Sequence, residues 1–259
     1  MKKITSKSNL LYREIHHLVS KGHPGSLRTG FLIEGEKLIR EALHAQADIK
    51  SLFILEGYEE HWMEFESRII VLSEPLMKSL SRLTTPPRAI AMASLRTEWS
   101  LADCLGHGRT FLVMDRLQDP GNIGSIIRTA EGLGADAVFL TRGSCSASND
   151  KVLRAAMGSL FRLPVFDDFT VEDLMHIFHD AKIQRIGTTM SGDSIWKEKF
   201  SERAVFFLGN EGSGLEMAIL QQCDRIVSIP MTGRNESLNV AVSAAVCLYE
   251  RLRQIGMPR

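Results

Sequence analysis

The run Thr110-Phe111-Leu112-Val113-Met114 and the turn that follows it, Asp119-Pro120-Gly121-Asn122, decide the fold class of this chain. A short, nearly continuous apolar run predicts a strand buried on both faces, and the Pro-Gly turn predicts the start of a helix. The same order recurs downstream. The remaining predicted strands are 137–140, 185–188, 204–208 and 225–229, and the predicted helices are 122–133, 149–160 and 238–253. This alternation predicts an α/β fold with a parallel sheet that is covered on both faces.

A smaller alternation of strands and helices precedes this region. Its strands are predicted at 31–33, 52–55, 69–72 and 89–93, and its helices at 34–43 and 74–83. The segment from Arg96 to Arg109 is polar and rich in turn residues, so the domain boundary is predicted there. We therefore expect two domains, residues 1–98 and residues 106–259.

The charges of the chain balance, but they are unevenly distributed. The 259 residues include 31 Lys plus Arg and 31 Asp plus Glu, which gives a formal net charge of zero. This removes the simplest argument for a nucleic-acid partner, a strongly basic chain. The first thirty residues, however, carry six basic side chains and one acid, whereas residues 56–74 carry six acids and one arginine. The zero balance therefore bears on non-specific binding and does not exclude RNA as a substrate.

The cysteine pattern and the hydropathy indicate a cytoplasmic protein. Four cysteines occur with no CxxC pair, which predicts free thiols in a reducing compartment. The amino terminus has no apolar export segment, and the most apolar stretch, 238–249, is too short to span a bilayer. His176 and His179 have no carboxylate-rich partner motif, so we expect no bound metal.

The loops that follow the predicted strands hold the candidate functional residues, because ligands bind at that edge of parallel sheets. After strand 110–114, Asn122 can cap the next helix, and Arg128 lies early in that helix. Taken alone, this loop is most simply a capped helix with a surface arginine. The other two loops, 209–215 and 229–237, are also compatible with ordinary strand-to-helix turns.

The second loop contributes a carboxylate to the candidate functional residues, and the third contributes the start of a helix. Residues 209–215 place three glycines around Glu211, so the backbone can approach a ligand that is cationic or donates a hydroxyl. Ser237 is a good N-cap for the closing helix. The chain lacks the G-x-S-x-G elbow of esterases, the Walker loop and the G-x-G-x-x-G of dinucleotide-binding folds. These absences disfavour hydrolases of that type and nicotinamide dehydrogenases.

Together the three loops resemble the three signature motifs of the SpoU family of RNA 2′-O-ribose methyltransferases, within the SPOUT superfamily. The segments that carry the resemblance are Asn122-x5-Arg128, Leu208-Gly209-Asn210-Glu211-Gly212-x-Gly214-Leu215, Ile229-Pro230-Met231 and Ser237-Leu238-Asn239-Val240-Ala241. Residues 154–165 also resemble the family. Residues 31–35 resemble, more loosely, part of the L30e-like RNA-binding domain that precedes the catalytic domain in many members.

The resemblance implies a C-terminal SPOUT domain with a deep trefoil knot, which sequence rules alone would not predict because knots are nearly absent from proteins. It also implies a homodimer that uses S-adenosylmethionine to methylate RNA, with large-subunit ribosomal RNA favoured over transfer RNA. The cofactor-binding residues that it implies are Thr188, Gly209, Ile229, Ser237 and Leu238. The catalytic residues that it implies are Asn122, Arg128, Glu211 and Asn239.

Two roles for Arg128 stay open at the level of sequence. It could act as a base towards the 2′-hydroxyl, or it could stabilise the developing alkoxide. A guanidinium carries only hydrogen-bond donors, which favours the second role. A non-catalytic RNA-binding or ribosome-assembly protein on the same fold is the alternative from another functional class. The sequence does not identify the target nucleotide.

Overall fold

The computed structural model describes residues 1–20, 30–94, 99–233 and 237–256. The chain forms two compact units, Met1–Glu98 with Ser148–Arg154, and Trp99–Ala147 with Ala155–Arg259. The first unit thus takes in a short segment that lies late in the sequence, which no local pattern could predict. The domain limits expected from the sequence, 1–98 and 106–259, stay a prediction.

The first unit is built on a five-stranded mixed sheet in the order β1-β4-β3-β5-β2. Its strands are β1 (Lys2–Ile4), β2 (Phe31–Glu34), β3 (Asp48–Leu55), β4 (Ile69–Leu72) and β5 (Ala89–Ser94). Its helices are α1 (Leu10–Ser20), α2 (Glu36–His44) and α3 (Glu74–Leu80). The sheet contains the four predicted strands. The sequence patterns did not predict β1 or α1, and three residues are too few for β1 to show a period.

The second unit is built on six parallel strands in the order β11-β9-β10-β6-β7-β8. Its strands are β6 (Thr110–Met114), β7 (Ala137–Thr141), β8 (Val165–Phe169), β9 (Gln184–Ser194), β10 (Ala204–Leu208) and β11 (Arg225–Ser228). Its helices are α4 (Leu101–His107), α5 (Pro120–Gly132), α7 (Val171–Asp180), α8 (Met217–Leu220) and α9 (Val240–Ile255). Helix α6 (Asp150–Ala156) begins in the segment that belongs to the first unit and ends in the second. The predicted α/β fold with a parallel sheet is confirmed. Phenylalanines of β6, β7 and β10 pack with Phe178 of α7 in its core.

The prediction of one helix over 149–160 is wrong, because the helix ends at Ala156. Met157 and Gly158 have φ angles of 49° and 85°, in the left-handed region that stops an α-helix. A 3-10 turn, Ser159–Phe161, follows them. The strand β8 and the helix α7 were not predicted. The sequence of β8 is Val-Phe-Asp-Asp-Phe, so two adjacent aspartates interrupt its apolar residues. A search for continuous apolar runs therefore does not find this strand.

Both predicted helix caps are also wrong. The N-cap of α5 is Asp119, whose carboxylate accepts a hydrogen bond from the Asn122 N–H at 2.8 Å. Asn122 is therefore inside the first turn, and its side chain is available for other contacts. The N-cap of α9 is Asn239, two residues after the predicted Ser237, and its amide oxygen accepts from the Ala241 N–H at 2.9 Å.

A buried arginine fixes the far end of α9 to the sheet. Arg251 is 1% exposed and donates to the Ser201 carbonyl at 2.7 Å and to the Arg109 carbonyl at 3.2 Å. It also donates to the Thr110 hydroxyl and to the Glu202 carbonyl. Burial lowers the pKa of Arg251 to about 10, with a further contribution from the Arg109 charge. The side chain is therefore still charged at neutral pH, and its acceptors replace the water that it lost.

We expect Arg251→Ala to lower the free energy of unfolding by about 3 kcal/mol or more, because it removes the donor to several buried acceptors. Equilibrium urea unfolding measures this change. Arg253→Ala is the matched control: Arg253 lies on the same helix, its side chain is exposed, and it forms an ion pair with Glu250, three residues earlier. That variant should destabilise the protein much less than Arg251→Ala. Equal effects of the two variants would contradict the anchoring role of Arg251.

Candidate active site

The candidate site lies at the carboxyl edge of the six-stranded sheet. In the strand register Leu208 pairs with Met114 and Phe207 with Gly187, so β6 and β10 end side by side, next to the middle of β9. The predicted strand 185–188 is too short, because β9 continues to Ser194. Thr188 follows Gly187 and donates its hydroxyl to the Phe207 carbonyl at 2.9 Å. Neighbouring loops at this edge are where parallel sheets bind ligands.

Glu211 joins the loop after β10 to the start of α5. Its carboxylate accepts from the backbone N–H of Gln118 at 3.4 Å and from that of Asp119 at 3.3 Å. It also accepts from the side-chain amide of Asn122 at 3.2 Å. These donors belong to the segment that connects β6 to α5 and to the first turn of α5. Two of the predicted catalytic residues, Asn122 and Glu211, are therefore in direct contact.

The same contacts keep Glu211 ionised. Burial raises the pKa of its carboxyl, but the backbone N–H groups and the Asn122 amide outweigh this effect, so the pKa lies below its ordinary value. A carboxylate whose pKa is lowered by folding stabilises the fold above its ordinary pKa. That contribution disappears as the pH falls through the lowered value. At neutral pH, Glu211 is a fixed negative charge within the site.

Asn122 extends this contact to the last helix. The Asn239 amide nitrogen donates to the amide oxygen of Asn122 at 3.0 Å. The orientation of both amides is determined by the ends of the chain of hydrogen bonds. Glu211 as a carboxylate only accepts, and the Ala241 N–H that Asn239 caps only donates. Glu211, Asn122 and Asn239 thus form one connected chain of hydrogen bonds with a single direction.

Arg128 lies on the exposed face of α5, separate from this chain. Asn122, Ser125 and Arg128 follow one another at three-residue spacing, so they share a stripe along the helix. Among the residues that the structure describes, Arg128 has no hydrogen bond and no ion pair. The structure thus brings together three of the four predicted catalytic residues and leaves the guanidinium of the fourth available.

The predicted cofactor-binding residues lie in or directly after neighbouring strands, or precede α9. Thr188 lies in β9, Gly209 follows β10, and Ile229 follows β11. Ser237 and Leu238 come directly before the cap of α9, and both are exposed. The segment 234–236, which connects the third loop, lies outside the described residues.

Position 209 requires glycine because the backbone of Gly214 lies very close to it. A Cβ atom at this position would lie 2.2 Å from the carbonyl carbon of Gly214, which is inside any allowed contact. The loop closes on itself here, because Asn210 and Gly214 form a bridge and the Gly214 N–H donates to the Asn210 carbonyl at 2.9 Å. The glycine therefore shapes the loop that presents Glu211.

Asn210 and Arg116 also organise the site, and the sequence predicted no role for either residue. The Asn210 amide oxygen accepts from the N–H groups of Gly212 at 3.0 Å and Ser213 at 3.2 Å, which folds the loop. An asparagine between glycines is a recognisable turn signal and could have been identified. The backbone conformation of Arg116, with φ of 52°, has no such signal, because nothing in its neighbours predicts it.

Two cavities lie away from the predicted site residues. A cavity of about 530 Å³ is lined by residues of α1, and one of about 320 Å³ is lined by residues near the amino end of β9. None of the predicted site residues lines either cavity. In the described parts of the chain, no group of three or more His, Cys, Asp or Glu side chains could hold a metal ion. No helix in those parts is long and apolar enough to cross a membrane.

We expect Gly209→Ala to lower the free energy of unfolding by about 1–3 kcal/mol, because the added methyl group collides with the Gly214 backbone. Gly212→Ala is the control in the same loop, since the nearest atom to its new Cβ, the Asn210 amide oxygen, is 3.6 Å away. Urea unfolding of both variants measures the difference. A Gly209→Ala variant as stable as Gly212→Ala would show that the loop is not tightly closed.

Comparison with known protein families gives a match in each half of the chain. Residues 109–249 match the model of the SpoU rRNA Methylase family. Residues 13–91 match the MRM3-like substrate binding domain. The family match spans β6 to α9, including the loops that carry Asn122, Glu211 and Asn239.

Individual relatives agree with these matches. The 23S rRNA (guanosine(2553)-2′-O)-methyltransferase RlmP of Bacillus subtilis is 34% identical over 96% of this chain and 98% of its own length. A crystal structure of an AdoMet-bound rRNA methyltransferase from Sinorhizobium meliloti has a TM-score of 0.85 at 28% identity and covers 99% of both chains. A structure concerned with methylation of C/U34 on tRNA has a TM-score of 0.53 at 26% identity. It covers 57% of this chain and 97% of its own.

Proposed function

Because the chain belongs to the SpoU rRNA methylase family, we propose that it transfers a methyl group from S-adenosylmethionine to a ribose 2′-hydroxyl of 23S ribosomal RNA. The observation that carries the proposal is the hydrogen-bonded chain of Glu211, Asn122 and Asn239. It connects the three family loops at the edge of the sheet where ligands bind, with Arg128 exposed on the same helix as Asn122.

The ribosomal substrate is favoured over transfer RNA by the extent of the similarity. The RlmP relative, whose name specifies 23S rRNA, aligns with almost the whole chain. The structure concerned with tRNA corresponds to only 57% of it. The match of residues 13–91 to a substrate binding domain supports the same choice and supports a division into an RNA-binding domain, 1–98, and a catalytic domain, 106–259.

The residues at the strand ends fit S-adenosylmethionine. Gly209 has no side chain between its backbone and a ligand, and Ile229 and Leu238 offer apolar surface that is half-buried or exposed. Thr188, Gly209, Ile229, Ser237 and Leu238 would hold the cofactor, largely through backbone groups. The cofactor supplies a methyl group already activated by the positive charge on sulfur.

The side chains of the protein have to align the 2′-hydroxyl with the methyl group and stabilise the charge that develops on its oxygen. The 2′-hydroxyl is a weak acid, so its oxygen must be aligned and its developing negative charge stabilised. Arg128 supplies several N–H donors and a positive charge with no internal partner to release first. Asn122 and Asn239 position the ribose, and Glu211 fixes the orientation of Asn122. We assign Arg128 to stabilisation of the alkoxide rather than to proton abstraction. As the bond between the methyl carbon and the 2′-oxygen forms, the bond from that carbon to sulfur breaks, S-adenosylhomocysteine leaves, and the hydroxyl proton passes to solvent water.

The assembly and location of the protein form part of the same proposal. Val242 and Tyr249 are 48% and 64% exposed and lie along one side of α9, away from buried Ala244 and Leu248, and Leu238, 36% exposed, precedes the helix. This apolar stripe suits a second copy of the chain, so the protein is a homodimer, which sedimentation equilibrium measures directly. No disulfide joins the four cysteines, all of which lie in the described residues, and this supports a cytoplasmic location.

A trefoil knot is proposed for the C-terminal domain. The chain runs along the edge of the sheet as β11 and then returns as α9, which packs on α5 and β10. The packing of α9 on α5 after the edge strand β11 is the observation that supports this proposal.

The first functional test is Arg128→Ala. We expect S-adenosylmethionine affinity, measured by calorimetry, to stay within about twofold of wild type, whereas turnover on 23S ribosomal RNA falls by about a hundredfold or more. Arg225→Ala is the control, since Arg225 is also exposed but starts β11 at the opposite edge of the sheet. Near-normal turnover of Arg128→Ala would refute its catalytic role. Cofactor binding without methylation by the wild-type chain would favour the non-catalytic RNA-binding alternative.

The second test concerns the basic amino terminus. Its described members are Lys2, Lys3, Lys7 and Arg13, all exposed, while Lys21 and Arg28 lie outside the described residues. Replacing the four described residues with glutamine should weaken RNA binding and leave cofactor affinity unchanged. Each lost phosphate contact makes the slope of log affinity against log salt less steep by about 0.7–0.9.

The control for this test neutralises four exposed cations of the second unit, Lys182, Lys197, Lys199 and Arg225. Their replacement with glutamine should leave the salt dependence nearly unchanged. An RNA affinity that does not depend on salt in the wild-type protein would contradict the proposed electrostatic contribution.

A further inference from the structure

Arg116 occupies an unusual position between β6 and the candidate site. It is the second residue after the strand, and its φ of 52° lies in the left-handed region, which side chains other than glycine rarely adopt. Residues are held in this conformation when the surrounding structure requires them there. The contacts of Arg116 indicate what requires it.

The backbone of Arg116 connects the loops after three neighbouring strands. Its N–H donates to the hydroxyl of Thr141, at the end of β7, at 3.0 Å. Its carbonyl accepts from the amide of Asn210, in the loop after β10, at 2.8 Å. The left-handed conformation allows one residue to present both groups to different loops. Asn210 in turn folds the segment that contains Glu211 through its contacts with Gly212 and Ser213.

The side chain of Arg116 also joins the end of β6 to the loop after β10, through ion pairs. Its guanidinium pairs with the buried carboxylate of Asp115 at 3.1 Å and with Glu216, which ends the loop after β10. Thr141 donates to the other oxygen of Asp115 at 2.8 Å, so Asp115 is fixed from two sides. The Arg116 Nη2 is buried and has no hydrogen-bond partner within the described structure.

The loop from Gly209 to Glu216 is therefore held by Arg116 at both ends, through Asn210 near the start and Glu216 at the finish. We infer that Arg116 is a positioning residue for the proposed methyl transfer, which sets the place of Glu211 relative to the first turn of α5. Neither the family motifs nor the sequence analysis assigns it a role. Arg116 acts through Glu211 and Asn122 and does not itself contact the reacting atoms.

The test uses two variants that weaken the arrangement differently. Arg116→Gly removes the guanidinium, keeps the carbonyl and relieves the left-handed backbone, so a loss of function cannot arise from new strain. Glu216→Gln removes only the negative charge at the end of the loop. Glu202→Gln is the matched control, since Glu202 also forms an exposed ion pair with an arginine but at the amino edge of the sheet.

Titration of the Glu211 carboxyl by carbon NMR is the first readout, and it needs neither RNA nor cofactor. In the wild type its pKa lies below the ordinary value because of the donors in the β6–α5 segment. In Arg116→Gly and Glu216→Gln we expect the pKa to rise towards the ordinary value. It should stay low in Glu202→Gln. A low pKa in both test variants would overturn the inference.

Methyl-transfer kinetics are the second readout. We expect kcat to fall about tenfold in each test variant, with the KM for RNA changed by less than about twofold, because misalignment affects the transition state more than binding. The double variant should be no slower than the slower single variant, since both changes release the same loop. Additive losses would contradict a shared mechanism.

The two readouts also separate this inference from the proposed function on which it rests. If the wild-type chain transfers no methyl group, the proposed function fails, and the carboxyl titration still decides whether Arg116 positions Glu211. If the wild type is active and both test variants keep full kcat, the positioning role fails while the proposed function stands.

Discussion

The last helix is fixed to the sheet at both of its ends, and the candidate site depends on this double attachment. At the amino edge of the sheet, the buried guanidinium of Arg251 donates to backbone carbonyls that precede β6 and β10. At the carboxyl edge, Asn239 caps the helix and contacts Asn122. A helix attached only at its far end could rotate or slide, and either movement would separate Asn239 from α5. Arg251 is remote from the site, but by fixing the far end of α9 it sets the position of Asn239 relative to Asn122.

The site itself is an example of polar groups that orient one another. Glu211, Asn122 and Asn239 come from three separate loops, 89 and 117 positions apart along the chain. Each member has its hydrogen-bond direction set by a neighbour that can only accept or only donate. Dipoles held in this way need little rearrangement when charge develops beside them, which is the physical basis of electrostatic catalysis. Arg128 adds an exposed positive charge on the same helix as Asn122.

The sequence predicted what depends on local pattern. The strands at 110–114 and 204–208 agree with β6 and β10 to the residue, because continuous apolar runs between turns are a strong signal. The three loops were identified for the same reason. The cap positions were wrong because Asp119 and Asn122, or Ser237 and Asn239, are equally good caps by residue type, and only the backbone path decides between them. The role of Arg116 was not predictable, since a left-handed arginine owes its conformation to partners on distant strands.

Asn239 both caps α9 and is the final member of the hydrogen-bonded chain. The order in which the site forms during synthesis depends on this double role. Translation delivers Asn122 and Glu211 well before α9 can form. A ribosome-bound chain could complete the sheet and still lack an ordered site, because the group that orients Asn122 has not yet been capped onto a helix. The hydrogen-bonded chain of the site is therefore completed only when α9, which follows both other loops in the sequence, has formed and been capped.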